Sequence, residues 1–498
     1  MEREIIKKLK AWKDNPDRKP LILTGVRQCG KTYAMKDFGE MCFEDVAYFN
    51  FEGDEGLQSI FDYNLKTERI LEELGQLYHG KPLIPGKTLV IFDEIQACPR
   101  AVTSLKYFCE ENRKLHLICA GSLLGVALKR EHISFPVGKV DHMQMYPMSF
   151  SEFLQAENPK LHAGVQHFDF EKALPAAYTE PLSKLQRIYY AVGGMPEAVA
   201  AWIESHDFEK VERIQDNILI DYRSDFSKHA PIAEVPKITW VWDAIPAQLA
   251  KDNHKFIFSH VKQGARAKDL EDALQWLVDA GLAYRLELVE KPELPLSFCA
   301  NKTNFKVYLS DVGLLRRKSG VSAQTILQGT ERFNRFKGAL TENYVMTELL
   351  VLGKQPYFWK SGNTAELDFL IEDGEKLIPI ESKAEVNTKA KSYRLFCNRY
   401  QPELGFRCSM KNIGEHFVER TYTYSLPLYL LWRMNVYLGA EIPALVSGNA
   451  VQKACSVENY GSDVHLQEQV QRMQHYMEQM GVSDSVMKAF EEFREKLK

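Results

Sequence analysis

The residue types best suited to chemistry lie early in the chain. Gly25-Val26-Arg27-Gln28-Cys29-Gly30-Lys31-Thr32 follows an apolar run, Leu21–Gly25, and fits G-x-x-x-x-G-K-[ST]. Two glycines let the backbone curl until consecutive N–H groups point inward at a phosphate, and a helix opening near Lys31 adds its positive dipole end. In that arrangement Gly25, Val26, Arg27, Gln28, Cys29 and Gly30 line the phosphates. Lys31 reaches the β- and γ-phosphates, and the Thr32 hydroxyl is a Mg²⁺ ligand. About sixty residues on, Thr88–Glu94 reads TLVIFDE, an apolar strand ending in two carboxylates. Asp93 at the strand tip is expected to hold Mg²⁺, usually through water, and Glu94 to polarise the attacking water. A further apolar run, Leu115–Gly121, leads to Ser122, which either senses the γ-phosphate or is a plain turn residue. ATP and Mg²⁺ are the cofactors this set implies.

A second constellation lies in the C-terminal half: Glu342, Asp368, Glu381 and Lys383. Nucleases with a D…E-x-K core carry Asp on one strand of a hairpin and Glu and Lys on the next. Alternation along a strand puts Glu381 and Lys383 on one face. There Asp368 and Glu381 could hold Mg²⁺ against a scissile phosphate while Lys383 orients water, with Glu342 supplied by the preceding helix. From Lys383 to Lys411, seven basic residues (Lys383, Lys389, Lys391, Arg394, Arg399, Arg407 and Lys411) face two acids, Glu385 and Glu403, a balance that suits a phosphate backbone. A charged hairpin followed by a soluble basic helix is the competing reading.

Elements must place these groups. Leu21–Gly25, Val46–Phe51, Leu89–Glu94 and Leu115–Gly121 read as strands covered on both faces, hence a parallel α/β sheet over residues 1–150. Helices dominate 151–235, with a break at Gly193–Pro196. Over 236–335, a helix at Lys268–Leu282 and strands AYRLELV and Phe305–Asp311 suggest a winged helix. Asp269, Glu271 and Asp272 on its recognition helix argue against strong groove readout. Over 336–437, a helix from Gly338 precedes a hairpin turning at Asp373-Gly374, then a helix at Lys389–Tyr400 and a strand at GFRCSM. Residues 438–498 read as a polar linker and two short helices. Their apolar positions (Leu466, Val470, Met473, Met477, Met480, then Val486, Phe490, Phe493, Leu497) form either a hairpin packed on the body or a partner or oligomer seam.

Composition sets the outer bounds. The chain has 498 residues, 45% hydrophobic and 26% charged, and a net charge of −4, which excludes a globally basic coat. Nine cysteines without a C-x-x-C pair indicate neither a zinc site nor a disulfide framework, so a reducing, cytoplasmic setting is expected. The apolar stretch Leu426–Val446 carries Arg433, Glu441 and two prolines and reads as buried core rather than a membrane span.

GVRQCGKT, VIFDEIQ, CAGSLLG and YPMSFSEFL, followed by GGMPEAV, VYLSDVGLL, GALTENYV and ELDFL…IPIESK, together resemble prokaryotic AAA-type ATPases fused to a C-terminal domain of unknown function. The resemblance spans about Pro20 to Leu431. It implies an AAA+ core, a helical and winged-helix middle, and a C-terminal α/β domain similar to restriction-endonuclease-like nucleases. AAA+ ATPases commonly complete hydrolysis with an arginine from a neighbouring subunit. Where relatives often carry Gly-Arg before the YPMSF segment, this chain has Gly138-Lys139, leaving Arg130 or Lys139 as substitutes. The leading expectation is a Mg²⁺-dependent ATPase acting on or beside double-stranded DNA. The alternative is a nucleotide-controlled switch whose C-terminal half binds a protein partner, without nuclease activity; homo-oligomerisation stays open in both.

Overall fold

The computed structural model describes residues 1–121, 124–126, 135–168, 173–251, 255–328, 334–362, 365–384 and 391–439. The described chain divides into two compact units. The first comprises Met1–Asp169, Pro175–Leu288 and Ala300–Pro356; the second comprises Phe170–Leu174, Val289–Cys299 and the chain from Tyr357 onward.

The first unit is built on a five-stranded sheet of β1 (Leu21–Thr24), β2 (Asp45–Asn50), β3 (Thr88–Asp93), β4 (His116–Ala120) and β5 (Asp141–Gln144), in the order β2-β3-β4-β1-β5. All four neighbour pairs are parallel. Every residue of β3 and β4 is buried, as expected of strands covered by helices on both faces. Helix α1 (Ile5–Asp14) precedes the sheet, and α2 (Lys31–Cys42) follows β1, burying Ala34, Met35 and Phe38. The edge strand β5 has no counterpart among the expected strands. Its sequence, DHMQ, is partly exposed throughout and pairs with β1 alone, so it carries no apolar alternation to read.

Ser149 begins α3 (Phe150–Glu157) with a capping box closed by Glu152. Then come α4 (Ala176–Val192), α5 (Pro196–Ser205), α6 (Phe208–His229) and α7 (Val235–Leu249). Pro196 starts α5, where a missing N–H costs nothing. The break ahead of it depends on glycine: a Cβ on Gly194 would lie 2.1 Å from the Met148 carbonyl oxygen. After α8 (Ala267–Asp279), strands β6 (Ala283–Val289) and β7 (Ala300–Leu309) lead to α9 (Val312–Lys318) and α10 (Asn334–Val351). Arg316 on α9 is fully buried and donates to Glu212 at 2.6 Å, Gln215 at 2.6 Å and the Ala191 carbonyl at 2.9 Å.

Glu348 on α10 is 1% exposed. Its Oε1 accepts from the Phe150 N–H at 2.8 Å, while Oε2 has no hydrogen-bond partner among the described residues. Burial pushes this carboxyl up to about 8, with Glu4 and Glu152 adding to the rise. The unfolded chain releases the proton near 4.5 and the folded chain holds it to about 8. Its contribution to stability is therefore complete below the first value and lost as pH rises through the second. Glu348→Gln should melt above the parent at about pH 9, with the gap closing toward about pH 5. Thermal melts at the two pH values check this, and equal gaps would show that Glu348 ionises normally.

In the second unit, β8 (Tyr357–Ser361), β9 (Ala365–Asp373), β10 (Lys376–Ser382), β11 (Leu404–Ser409), β12 (Gly414–Val418) and β13 (Thr421–Pro427) run in the order β12-β13-β11-β10-β9-β8. The β9–β10 hairpin forms as expected. Asp373 pairs with Lys376, leaving Gly374-Glu375 as a two-residue turn with Gly374 at φ +60°. Strands β10–β11 and β11–β13 pair in parallel, and α11 (Lys391–Tyr400) packs on β9 and β10. Leu426, Leu428, Leu430 and Leu431 are buried, and no described helix is long and apolar enough to cross a membrane. The apolar positions expected at 466–497 lie outside the described residues.

Candidate functional site

The loop after β1 turns sharply at its two glycines. Gly25 has φ +156°, and a Cβ there would lie 2.4 Å from the Met145 carbonyl oxygen; Gly30 has φ +93° and sits at the N-cap of α2. No side chain caps α2 and no acid occupies its first turn, so its N–H groups and dipole end are open to an anion. Val26 and Cys29 anchor the loop in the core at 1% and 0% exposure. Lys31 is buried and folds back, its Nζ donating to the carbonyls of Gly25 at 2.8 Å and Val26 at 3.0 Å. Arg27 and Gln28 point the other way, toward α6. Beside Gly25 opens a cavity of about 450 Å³, lined in part by Thr24, Gly121, Gln144, Tyr146 and Tyr284.

The tip of β3 meets this loop. Asp93 Oδ2 accepts from the Thr32 hydroxyl at 2.6 Å and from the Tyr48 hydroxyl at 2.9 Å. Burial, and then the neighbouring Asp93, raise the Tyr48 hydroxyl well above the usual phenol range, so it stays a donor. Glu94 adopts φ +50°, a left-handed conformation that a non-glycine residue keeps only when its surroundings enforce it. Its Oε2 accepts from Gln96 Nε2 at 2.5 Å. The structure therefore brings Lys31, Thr32, Asp93 and Glu94 to one end of the sheet. Ser122 and Arg130 lie outside the described residues, and Lys139 forms a surface ion pair with Glu110 at 2.8 Å.

Sequence reasoning missed Tyr48, Gln96 and the α6 contacts. Gln96 stands two residues after Glu94 and was within reach of a local reading; Tyr48 and α6 approach only through tertiary structure.

A magnesium ion with oxygen ligands at about 2.0–2.1 Å in octahedral geometry sets adjacent ligands about 3 Å apart. The Thr32 and Asp93 oxygens, 2.6 Å apart and hydrogen-bonded, fit such an edge after a small spreading.

In the second unit, Asp368, Glu381 and Lys383 come together. Lys383 Nζ lies 2.8 Å from Glu381 Oε1 and 3.7 Å from Asp368 Oδ2, and Asp368 also accepts from the Ser382 N–H at 2.8 Å and hydroxyl at 3.1 Å. Both carboxylates are almost buried, while Lys383 is partly exposed. Glu342 belongs to the first unit, where Tyr308 donates to its carboxylate at 2.7 Å and Lys306 at 3.3 Å. No group of three or more His, Cys, Asp or Glu side chains able to hold a metal occurs among the described residues.

Among solved structures, the chain is similar to a Walker-type ATPase of Pyrococcus abyssi at 16% identity, covering 64% of this chain and 95% of that one, with a TM-score of 0.40. It is also similar to the ORC2 protein of Aeropyrum pernix in its ADPNP–ADP complexes, at 13% identity, 63% and 88% coverage and a TM-score of 0.31. AMPPCP-bound DnaA from Aquifex aeolicus follows at 14% identity, 55% and 86% coverage and a TM-score of 0.26. No curated protein matches the chain. Residues 183–325 and 337–429 match models of two domains of unknown function (DUF8612 and DUF4143). Residues 17–154, which hold the parallel sheet and its glycine-rich loop, match the model of an AAA domain.

Proposed function

We propose that the chain binds ATP at residues 25–32 and hydrolyses it with Mg²⁺, acting on or beside DNA. The observation that carries the ATPase reading is the convergence of Lys31, Thr32, Asp93 and Glu94 at the open N-terminus of α2. Lys31 would exchange two backbone carbonyls for phosphate oxygens, a stronger, charge-assisted pairing. Thr32 and Asp93 would hold the metal, which neutralises charge on the β- and γ-phosphates when bound. Tyr48 keeps Asp93 oriented. Glu94 would accept a proton from the attacking water once its carboxylate turns from Gln96.

The DNA part of the proposal rests on Asp368, Glu381 and Lys383, a carboxylate pair bridged by a cation on one hairpin. A second reading, a nucleotide-controlled switch that binds a protein, is favoured by α8, whose exposed side chains include Asp269 and Asp272. Titrating ATP turnover with double-stranded DNA separates the two. Under the first reading turnover rises at low salt and the rise fades as salt increases. In that case Asp368→Ala should abolish Mg²⁺-dependent DNA cleavage. A flat titration removes DNA as the partner and directs the search to proteins.

A further inference from the structure

We propose that helix α6 holds the 25–32 loop in its anion-binding shape, so that Asp221, Tyr222 and Asp225 are positioning residues for the nucleotide. The inference rests on the reading of this loop as an ATP site.

Three contacts run from one face of α6 to two consecutive loop residues, nearly two hundred positions away in the chain. The Tyr222 hydroxyl donates to the Arg27 carbonyl at 3.0 Å. In a trans peptide the C=O and the next N–H point in opposite directions. Pinning the Arg27 carbonyl toward α6 therefore aims the Gln28 N–H away from the helix, into the concave side of the loop where a phosphate would lie. Gln28 itself has φ +64°, a conformation costly for a side chain with a Cβ and stable only when neighbours enforce it. Its Nε2 donates to Asp221 Oδ2 at 2.8 Å, which supplies that enforcement.

The third contact is an ion pair between Arg27 and Asp225. Burial raises the Asp225 carboxyl, and Arg27 is the largest influence pulling it back down. The pair draws the guanidinium out of the loop and leaves the concave side to the amides and Lys31. Asp221 and Asp225 stand four positions apart and so share a helix face, with Tyr222 beside them.

A positioning helix must itself be fixed. Tyr222 and Phe226 are buried at 1% and 0% exposure. At the other end of α6, Glu212 and Gln215 grip the buried Arg316, and Asp216 takes Arg317 at 2.6 Å. The helix is thus clamped at both ends.

The test uses the full chain and fluorescent ATP and ADP analogues with Mg²⁺. Asp221→Ala and Tyr222→Phe, which each remove one hydrogen bond, and Asp225→Asn, which removes the charge of the Arg27 pair, should each raise the Kd about three- to tenfold for both nucleotides. The nucleotide-free chain should lose no more than the fold stability of one such contact and still melt cooperatively. Because Asp221 acts through Gln28, Asp221→Ala should add no penalty in a Gln28→Ala background, which a purely structural role would not produce. Wild-type Kd values in folded variants would overturn the proposal, as would an undiminished Asp221→Ala penalty in that background. Asp221 is exposed, so this cycle decides even where Tyr222→Phe or Asp225→Asn fails to fold. If the unmodified chain binds neither nucleotide, the ATP reading falls and takes this inference with it; normal binding with indifferent variants overturns this inference alone.

Discussion

Replacing Lys31 by Ala should raise the ATP Kd at least about a hundredfold. Truncating one partner of a buried, charge-assisted pair costs about 2–5 kcal/mol, and every 1.4 kcal/mol is tenfold in affinity. Two features place Lys31 at the upper part of that range. Its Nζ is buried, so phosphate oxygens would meet it with little water between them. It is also pre-aimed, since the Gly25 and Val26 carbonyls it now contacts lie on the loop that would surround a phosphate. The substitution also has a cost without nucleotide, because those carbonyls lose their donor. A loss of about 1–2 kcal/mol in stability is expected from that alone. Thermal unfolding separates the two effects. ATP at a hundred times its Kd should stabilise the parent by about 2.7 kcal/mol. The variant should melt slightly lower and show no ATP-dependent rise. A full rise in Lys31→Ala would put the nucleotide somewhere else.

What could be read from the sequence was what is encoded locally. Gly25 to Thr32 is continuous, and the spacing of Lys31 and Thr32 is fixed by the helix they begin. Asp93 and Glu94 were legible because they end an apolar run long enough to be only a buried strand. The Asp373-Gly374 turn likewise fixed the hairpin that sets Asp368 beside Glu381 and Lys383. What was illegible is tertiary. Tyr48 reaches Asp93 from a neighbouring strand, and Asp221, Tyr222 and Asp225 reach the loop from a helix whose own periodicity reports only its buried stripe. No local pattern marks a polar residue that satisfies a distant backbone carbonyl. Glu342 is a like case: its contacts with Lys306 and Tyr308 on β7 arise only once helix α10 packs in the first unit. Strand β5 was missed because a short edge strand of polar, half-exposed residues lacks the alternation that identifies strands.

Glu94→Gln should keep ATP binding and lose turnover by about 10²- to 10⁴-fold, the usual contribution of a positioned general base. The substitution is nearly isosteric, and the local geometry predicts that it leaves the site intact. The amide oxygen of the new side chain can accept from Gln96 Nε2 as the carboxylate does now, so the left-handed turn at residue 94 keeps its restraint. Asp93, Thr32 and Tyr48 are untouched, and the metal-holding oxygens stay where they are. Only proton acceptance is lost. Single-turnover hydrolysis should therefore fall while the Kd for ATP stays within a few-fold of the parent value. That split distinguishes a base from a residue that shapes the site, whose loss would move both quantities. Unchanged turnover would assign the base to another carboxylate, and loss of binding would mean that Glu94 holds the loop and strand tip together.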